Sequence, residues 1–237
     1  SASKHSYFGY QSDYDSSNRG WHNGITAAAG DSTLRGVFVL SRRDGQQTSN
    51  NSGEVSAYPA NWHSTALMTS GIWQPNDEHK FSATLDYYHK VNHTHYDTWN
   101  TAGTSTIGDS QQQSDTRRWG VSLADEYTPD NGFVDSLSSR VYYQHTEAHD
   151  NTYMPTDSSG TMQHVYSDYN VDTWGFATHG NKTLGRHDLS AGINGRITDT
   201  ERPFRQDPAP STYSVIMQPQ ADSRSYTVGG FVQDKIN

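Results

Sequence analysis

The sequence predicts an all-β protein, an antiparallel transmembrane β-barrel, on three observations. Apolar and polar residues alternate with period two through many segments, which gives an extended strand one apolar and one polar face. Short turns near residues 30, 76, 130 and 182 alternate with long polar loops near 52, 104, 155 and 210, so short connections share one end of the sheet and long ones the other. Outer-membrane barrels have this asymmetry, whereas soluble sandwiches mix their loop lengths. Finally, only 31% of the 237 residues are apolar and mean hydropathy is −0.91, thin for a soluble core, while Tyr and Trp are too frequent for a disordered chain.

About ten strands follow in order. Residues 6–13 form the first, with a brief Asp/Ser/Asn connection at 14–19. The strand at 20–29 sets Trp21, Asn23, Ile25, Ala27 and Ala29 on one face, and Gly30-Asp31-Ser32 turns the chain. Residues 33–43 return with Leu34, Gly36, Phe38 and Leu40 in phase, then 44–61 is a polar loop. The strand at 62–73 and the turn 74–78 lead into 80–92, where Phe81, Ala83, Leu85 and Tyr87 oppose Ser82, Thr84, Asp86 and Tyr88. A long Thr/Ser/Gly/Gln-rich loop spans 94–115.

The strand at 116–127 carries Trp119, Val121 and Leu123 together, and Pro129-Asp130-Asn131-Gly132 is a strong turn. Residues 133–145 place Phe133, Leu137, Val141 and Tyr143 outward, with Asp135 interrupting that face beside the turn. After a loop at 146–164, residues 165–178 are extended with the two faces undecided, and 179–186 is a turn. Alternation is cleanest in 187–198, with Leu189, Ala191, Ile193, Gly195 and Ile197 on one side. A Pro-containing loop at 199–223 precedes the final strand, 224–235. Trp62, Tyr127, Tyr142, Tyr143, Tyr166 and Tyr169 lie near strand ends, where aromatic rings suit a headgroup zone, although strands favour such residues in any case.

The net charge of −9 and the lack of a basic run argue against nucleic acid. Cysteine is absent, so there is no disulfide or thiolate site. No apolar run approaches the ~20 residues of a spanning helix, but a barrel strand needs only about 9–11 residues, half of them apolar. The opening SASKHSYFGY has no apolar signal region, so a secretion signal is either removed or was never present.

The segments GYQSDYDSSNRGWHNGITAAAGD, LRGVFVLSRRDG and GGFVQDKIN, the last with Phe231, Val232, Gln233 and Asp234, resemble barrel segments of TonB-dependent outer-membrane receptors, the haem, haemoglobin and haemophore branch most of all. The resemblance implies a barrel of about 22 strands closed by an N-terminal plug, in the bacterial outer membrane. It further implies uptake of haem, as transported ligand and not prosthetic group, from free haem, haemoglobin or a haemophore, energised by the TonB complex. No plug-like segment, TonB box, FRAP or NPNL motif occurs, so residues 1–237 are expected to be part of one transmembrane barrel domain whose plug and remaining strands lie elsewhere.

Twelve histidines is a high count. His93 and His95 are two apart and share a face where a strand rises into a loop, followed by Tyr96, so imidazole and phenolate there can meet a metal or haem iron. Tyr153, with His145 and His149 before it, and His164 form a weaker set. The plain alternative for all of these is a solvated loop surface. Arg42-Arg43 and Arg117-Arg118 offer guanidinium groups to lipopolysaccharide, to haem propionates or simply to solvent.

Asp77-Glu78 and Asp125-Glu126 abut short turns and read as solvated rather than as acid–base pairs, and no GxSxG or HExxH motif occurs, so no catalysis is expected. A ferric-siderophore receptor, a passive porin, a soluble β-rich adhesin or carbohydrate-binding module, and a barrel enzyme remain as alternatives. The soluble reading requires Phe81, Leu85, Leu189 and Ile193 to sit inside a packed core.

Overall fold

A computed structural model describes residues 5–47, 60–96, 99–101, 105–107, 110–155, 162–207 and 221–236. These residues form strands and turns with no helix. The strands are β1 (His5–Asp15), β2 (Gly20–Gly30), β3 (Leu34–Gln46), β4 (Ala60–Trp73), β5 (His79–Tyr96), β6 (Trp99–Thr101) and β7 (Ser105–Ile107). They continue as β8 (Ser110–Tyr127), β9 (Ser136–Pro155), β10 (Met162–Leu184), β11 (His187–Glu201), β12 (Phe204–Asp207) and β13 (Ser223–Ile236). One antiparallel sheet runs in the order β1-β2-β3-β4-β5-β8-β9-β10-β11-β13, with β12 added beside β10, while β6 and β7 make a separate ribbon.

Every long strand pairs with its neighbours in sequence, as an up-and-down wall requires. β12 continues β11 along β10 in unbroken register: Glu201 faces Asn170 and Phe204 faces Ser167. The gap between them falls at Pro203, which has no N–H to give the ladder, although its carbonyl still accepts from the Asp168 amide at 2.9 Å.

The register assembles one continuous apolar face. One row runs Phe8–Ala27–Phe38–Thr69–Leu85–Val121–Tyr143–Trp174–Ile197–Tyr226 across the whole wall. Aromatic rings bound this face at both ends. Tyr10, Tyr87, Trp119, Tyr143, Trp174 and Tyr226 stand toward the long loops, and Trp73, Phe81 and Tyr127 toward the short turns. Trp73 and Phe81 stack at 5.4 Å, and the Trp119 and Tyr143 rings meet edge-on at 5.0 Å. On β8 the rings bracket residues 119–127, the length a tilted strand needs to cross hydrocarbon. Hydroxyls on this face are satisfied within the sheet: Thr69 donates to the Val37 carbonyl at 3.2 Å, and Ser139 bonds Thr178 at 3.0 Å.

The opposite face is polar. It carries Ser70 bonded to Thr84 at 3.2 Å, Arg118 near Asp86 at 3.7 Å, Lys80 on Glu126 at 2.9 Å and Ser190 donating to Asn181 at 2.6 Å. Strands pack only on their ladder neighbours, and among the described residues no second layer covers either face. Leu85 and Ile193 stay 43% and 57% exposed. Among the described residues the packed core required by the soluble sandwich is not formed, and the wall has one apolar and one wet side.

Several expected boundaries shift. β5, β8, β9 and β10 run far into the segments read as loops at 94–115 and 146–164, reaching 18, 18, 20 and 23 residues. Among the described residues the turn expected at 179–186 shrinks to Gly185-Arg186, with Gly185 at φ 62° as a two-residue hairpin favours. Phe133 is not in a strand but in the turn before β9, and it is 96% exposed. The short turn at 16–19 lies at the same end as the long loops. Trp62, Tyr142 and Tyr169 point to the polar face, so they do not belong to the girdle. The central parts of the expected loops, including 48–59, 156–161 and 208–220, lie outside the described residues.

Trp62, Tyr142, Phe176 and Phe231 lie across the glycines directly opposite them, Gly45, Gly175, Gly195 and Gly192. A Cβ built on Gly175 would come within 2.2 Å of the Tyr142 ring, and one on Gly195 within 2.5 Å of Phe176. In a single-layer sheet these ring-on-backbone contacts supply packing that a second layer would otherwise give.

Candidate ligand-recognition rim

Beyond the aromatic girdle, β5, β8, β9 and β10 project as paired ribbons toward the loop end. A cleft of about 750 Å³ opens among them, lined by His93, His95, Gln112, Tyr153, His164 and Tyr166 with Gln46 and Asn61 beside them. Three of the four expected ligand residues therefore share one concavity. Tyr96 does not line it; its hydroxyl donates to Gln112 Oε1 at 3.0 Å. His93 and His95 continue the face that carries Leu85 and Tyr87, whereas Tyr96 continues the polar face with Tyr88. Tyr153 stands opposite His164, their rings 4.4 Å apart, and His164 is 5.7 Å from the Tyr166 ring. No group of three metal-ligating side chains is formed among the described residues.

Strand extension also assembles a network that the sequence reading missed. His145, Glu147 and His149 alternate along β9 and so share a face. Asp172 takes His145 Nδ1 at 2.8 Å and the Tyr143 hydroxyl, and Asp168 takes His149 Nδ1 at 2.9 Å. Glu147 Oε2 lies 3.7 Å from the Nε2 of both histidines and its other oxygen 3.4 Å from Arg117, whose Nε is 3.3 Å from Asp115. Asp115 in turn meets His89 Nε2 at 3.1 Å. The signal was the spacing H-x-E-x-H, which is meaningful only if the strand continues past residue 145.

The remaining candidates separate by face. Arg42 and Arg117 lie on the apolar side of the wall above the girdle, and Arg43 and Arg118 on the wet side. Asp125 and Glu126 also diverge, Asp125 to His79 at 3.0 Å and Glu126 to Lys80 at 2.9 Å, so they cannot act on one substrate atom.

By sequence, no protein-family model and no curated protein matches the chain. Solved structures do. The ferric yersiniabactin uptake receptor FyuA from Yersinia pestis aligns over 98% of this chain and 41% of its own, with a TM-score of 0.60 at 11% identity. The ferric citrate transporter FecA in its unliganded form aligns over 96% of this chain and 35% of its own, at TM-score 0.60 and 10% identity. The fold is thus an antiparallel all-β wall of the kind found in those two structures, part of a transmembrane-type β-barrel. The chain spans about two fifths or less of these structures' length.

Proposed function

We propose that this chain is the barrel-wall part of a TonB-dependent outer-membrane receptor that imports an iron-containing ligand. The observation that carries this reading is the single-layer wall, apolar with aromatic girdles on one side and polar on the other, in the fold of two ferric-chelate uptake proteins. β1 and β13 have no strand on their far sides among the described residues. Unpaired ladder groups are costly in lipid, which supports closure by further strands around a plug, in a barrel of about 22 strands. Uptake is energised by the TonB complex, and the wall performs transport and recognition, not catalysis.

Haem, taken from solution, haemoglobin or a haemophore, is the ligand class supported by the sequence resemblance. The cleft bearing His93, His95 and Tyr153 offers imidazole and phenolate donors at the recognition end, with Tyr96 on the opposite face of the same strand. A ferric siderophore is the second reading, favoured by the likeness to FyuA and FecA. Titrating the purified receptor with haem separates them. The haem reading predicts a Soret band that His93→Ala/His95→Ala shifts or weakens by about tenfold in affinity, the order of one lost ligand interaction. No Soret change with wild-type protein, together with saturable binding of a ferric chelate, would instead select the siderophore.

A further inference from the structure

The network on β8, β9 and β10 lies on the apolar side of the wall, immediately outside the aromatic girdle. Trp119 is 6.1 Å from the His145 ring and directly opposite it across the ladder. Side chains at that place meet the polar headgroups of the membrane, not the receptor's interior. The cleft of His93 and His95 continues this side farther toward the loop end, and none of the network's side chains lines it.

The charge there depends on four histidines. On β3 and β4, Arg42 and Asp44 flank His63. On β5 and β8, His89 meets Asp115 and Arg117. On β9 and β10, Glu147, Asp168 and Asp172 surround His145 and His149. Farther along on the same side, Arg224 pairs with Asp199 and cancels it, and the charges of Glu201 on β11 and Arg205 on β12 offset one another. With neutral histidines, the two arginines on β3 and β8 face five carboxylates, a net of three negative charges; protonating four histidines leaves one positive. The hydrogen bond that His149 donates to Asp168, helped by Glu147 and Asp115, holds His149 above its ordinary range, while partial burial and Arg42 hold His63 below its own. The sign change is therefore spread over the histidine range rather than sharp.

We propose that this histidine belt is a binding surface for phosphorylated glycolipid headgroups of the outer leaflet, and that it holds them more tightly as pH falls. At neutral pH the carboxylates repel phosphate. Below it, each imidazolium satisfies its acid and frees Arg117 and the remaining N–H donors for phosphate oxygens. Two features support that occupant: the belt is continuous with the lipid-facing girdle, and protonation makes its charge complementary to phosphate.

The inference rests on the barrel reading above, and the test separates the two. The intact receptor in detergent micelles is offered bis-phosphorylated lipid A or its dephosphorylated form, and bound lipid is counted by native mass spectrometry. In wild type the preference for the phosphorylated form should rise about tenfold from about pH 7.5 to about pH 5.5. In His89→Gln/His145→Gln/His149→Gln it should rise less than about twofold. His179→Gln, on the polar face, should behave as wild type. The same rise in the triple variant, or no phosphate preference at either pH, would overturn the belt while leaving the barrel intact. Protein that never needs detergent would overturn both. Folding of each variant is checked by heat-modifiable gel mobility, and His145→Gln alone, predicted to lose part of the rise, serves if the triple variant does not fold.

Discussion

Asp135 shows how single residues finish this wall at its turns. Lys182 Nζ lies 2.8 Å from one carboxylate oxygen, and the Thr183 amide donates to the other at 2.7 Å. The Lys182 hydrogen bond, with that of Thr183, holds the Asp135 carboxyl below the usual carboxylate range. A group depressed in the folded state stabilises above its unfolded pKa, and that contribution is lost as pH falls through the folded one. Asp135→Asn should therefore lower the urea midpoint of unfolding at about pH 7 and lower it less at about pH 3, where the contribution is already being lost. An equal loss at both pH values would show that shape rather than charge matters there. The interruption of the apolar face that Asp135 makes in the sequence is thus a turn anchor outside the hydrocarbon.

At the level of elements, legibility followed the membrane. Between the girdles one side of each strand meets lipid, so alternation is forced, and residues 80–92 and 187–198 showed it openly. Above the upper girdle both sides of β8, β9 and β10 meet water or polar headgroups. Residues 110–115 and 146–155 are then mostly polar on both faces, and period two leaves little trace in them although the ladder continues. For the same reason His145, Glu147 and His149 could not be seen as neighbours on one face. The grouping of His93 and His95 was readable, since it needed only spacing, whereas the opposite facing of Tyr96 and the approach of Tyr153 needed the register. The two faces of β10 were ambiguous because Gly175 and Gly180 leave gaps, the first explained only by the Tyr142 ring that covers it. Gly175→Ala tests that cover. Its methyl would collide with Tyr142, and the variant should lose about 1–3 kcal/mol of stability, as overpacking does. Tyr142→Ala combined with Gly175→Ala should lose less than the sum of the two, read from urea midpoints; strict additivity would mean the ring and the glycine are independent.

At the largest scale the described residues form a sheet without a core, which accounts for the composition. With one face solvated by lipid and the other by water, a mean hydropathy of −0.91 does not prevent a stable fold, because apolar residues are required only in one band on one side. Long polar ribbons then add hydrophilic mass above that band. The absence of cysteine from residues 1–237 makes the central claim directly measurable. Single cysteines at Leu85, Thr84, Ile193 and Asn194, each spin-labelled in lipid bilayers, report collisions with dissolved oxygen and with a water-soluble nickel complex. Labels at 85 and 193 should meet oxygen and be shielded from nickel, with 84 and 194 showing the reverse. Equal accessibility on the two faces, or all four labels shielded from both reagents, would contradict a wall that separates lipid from water.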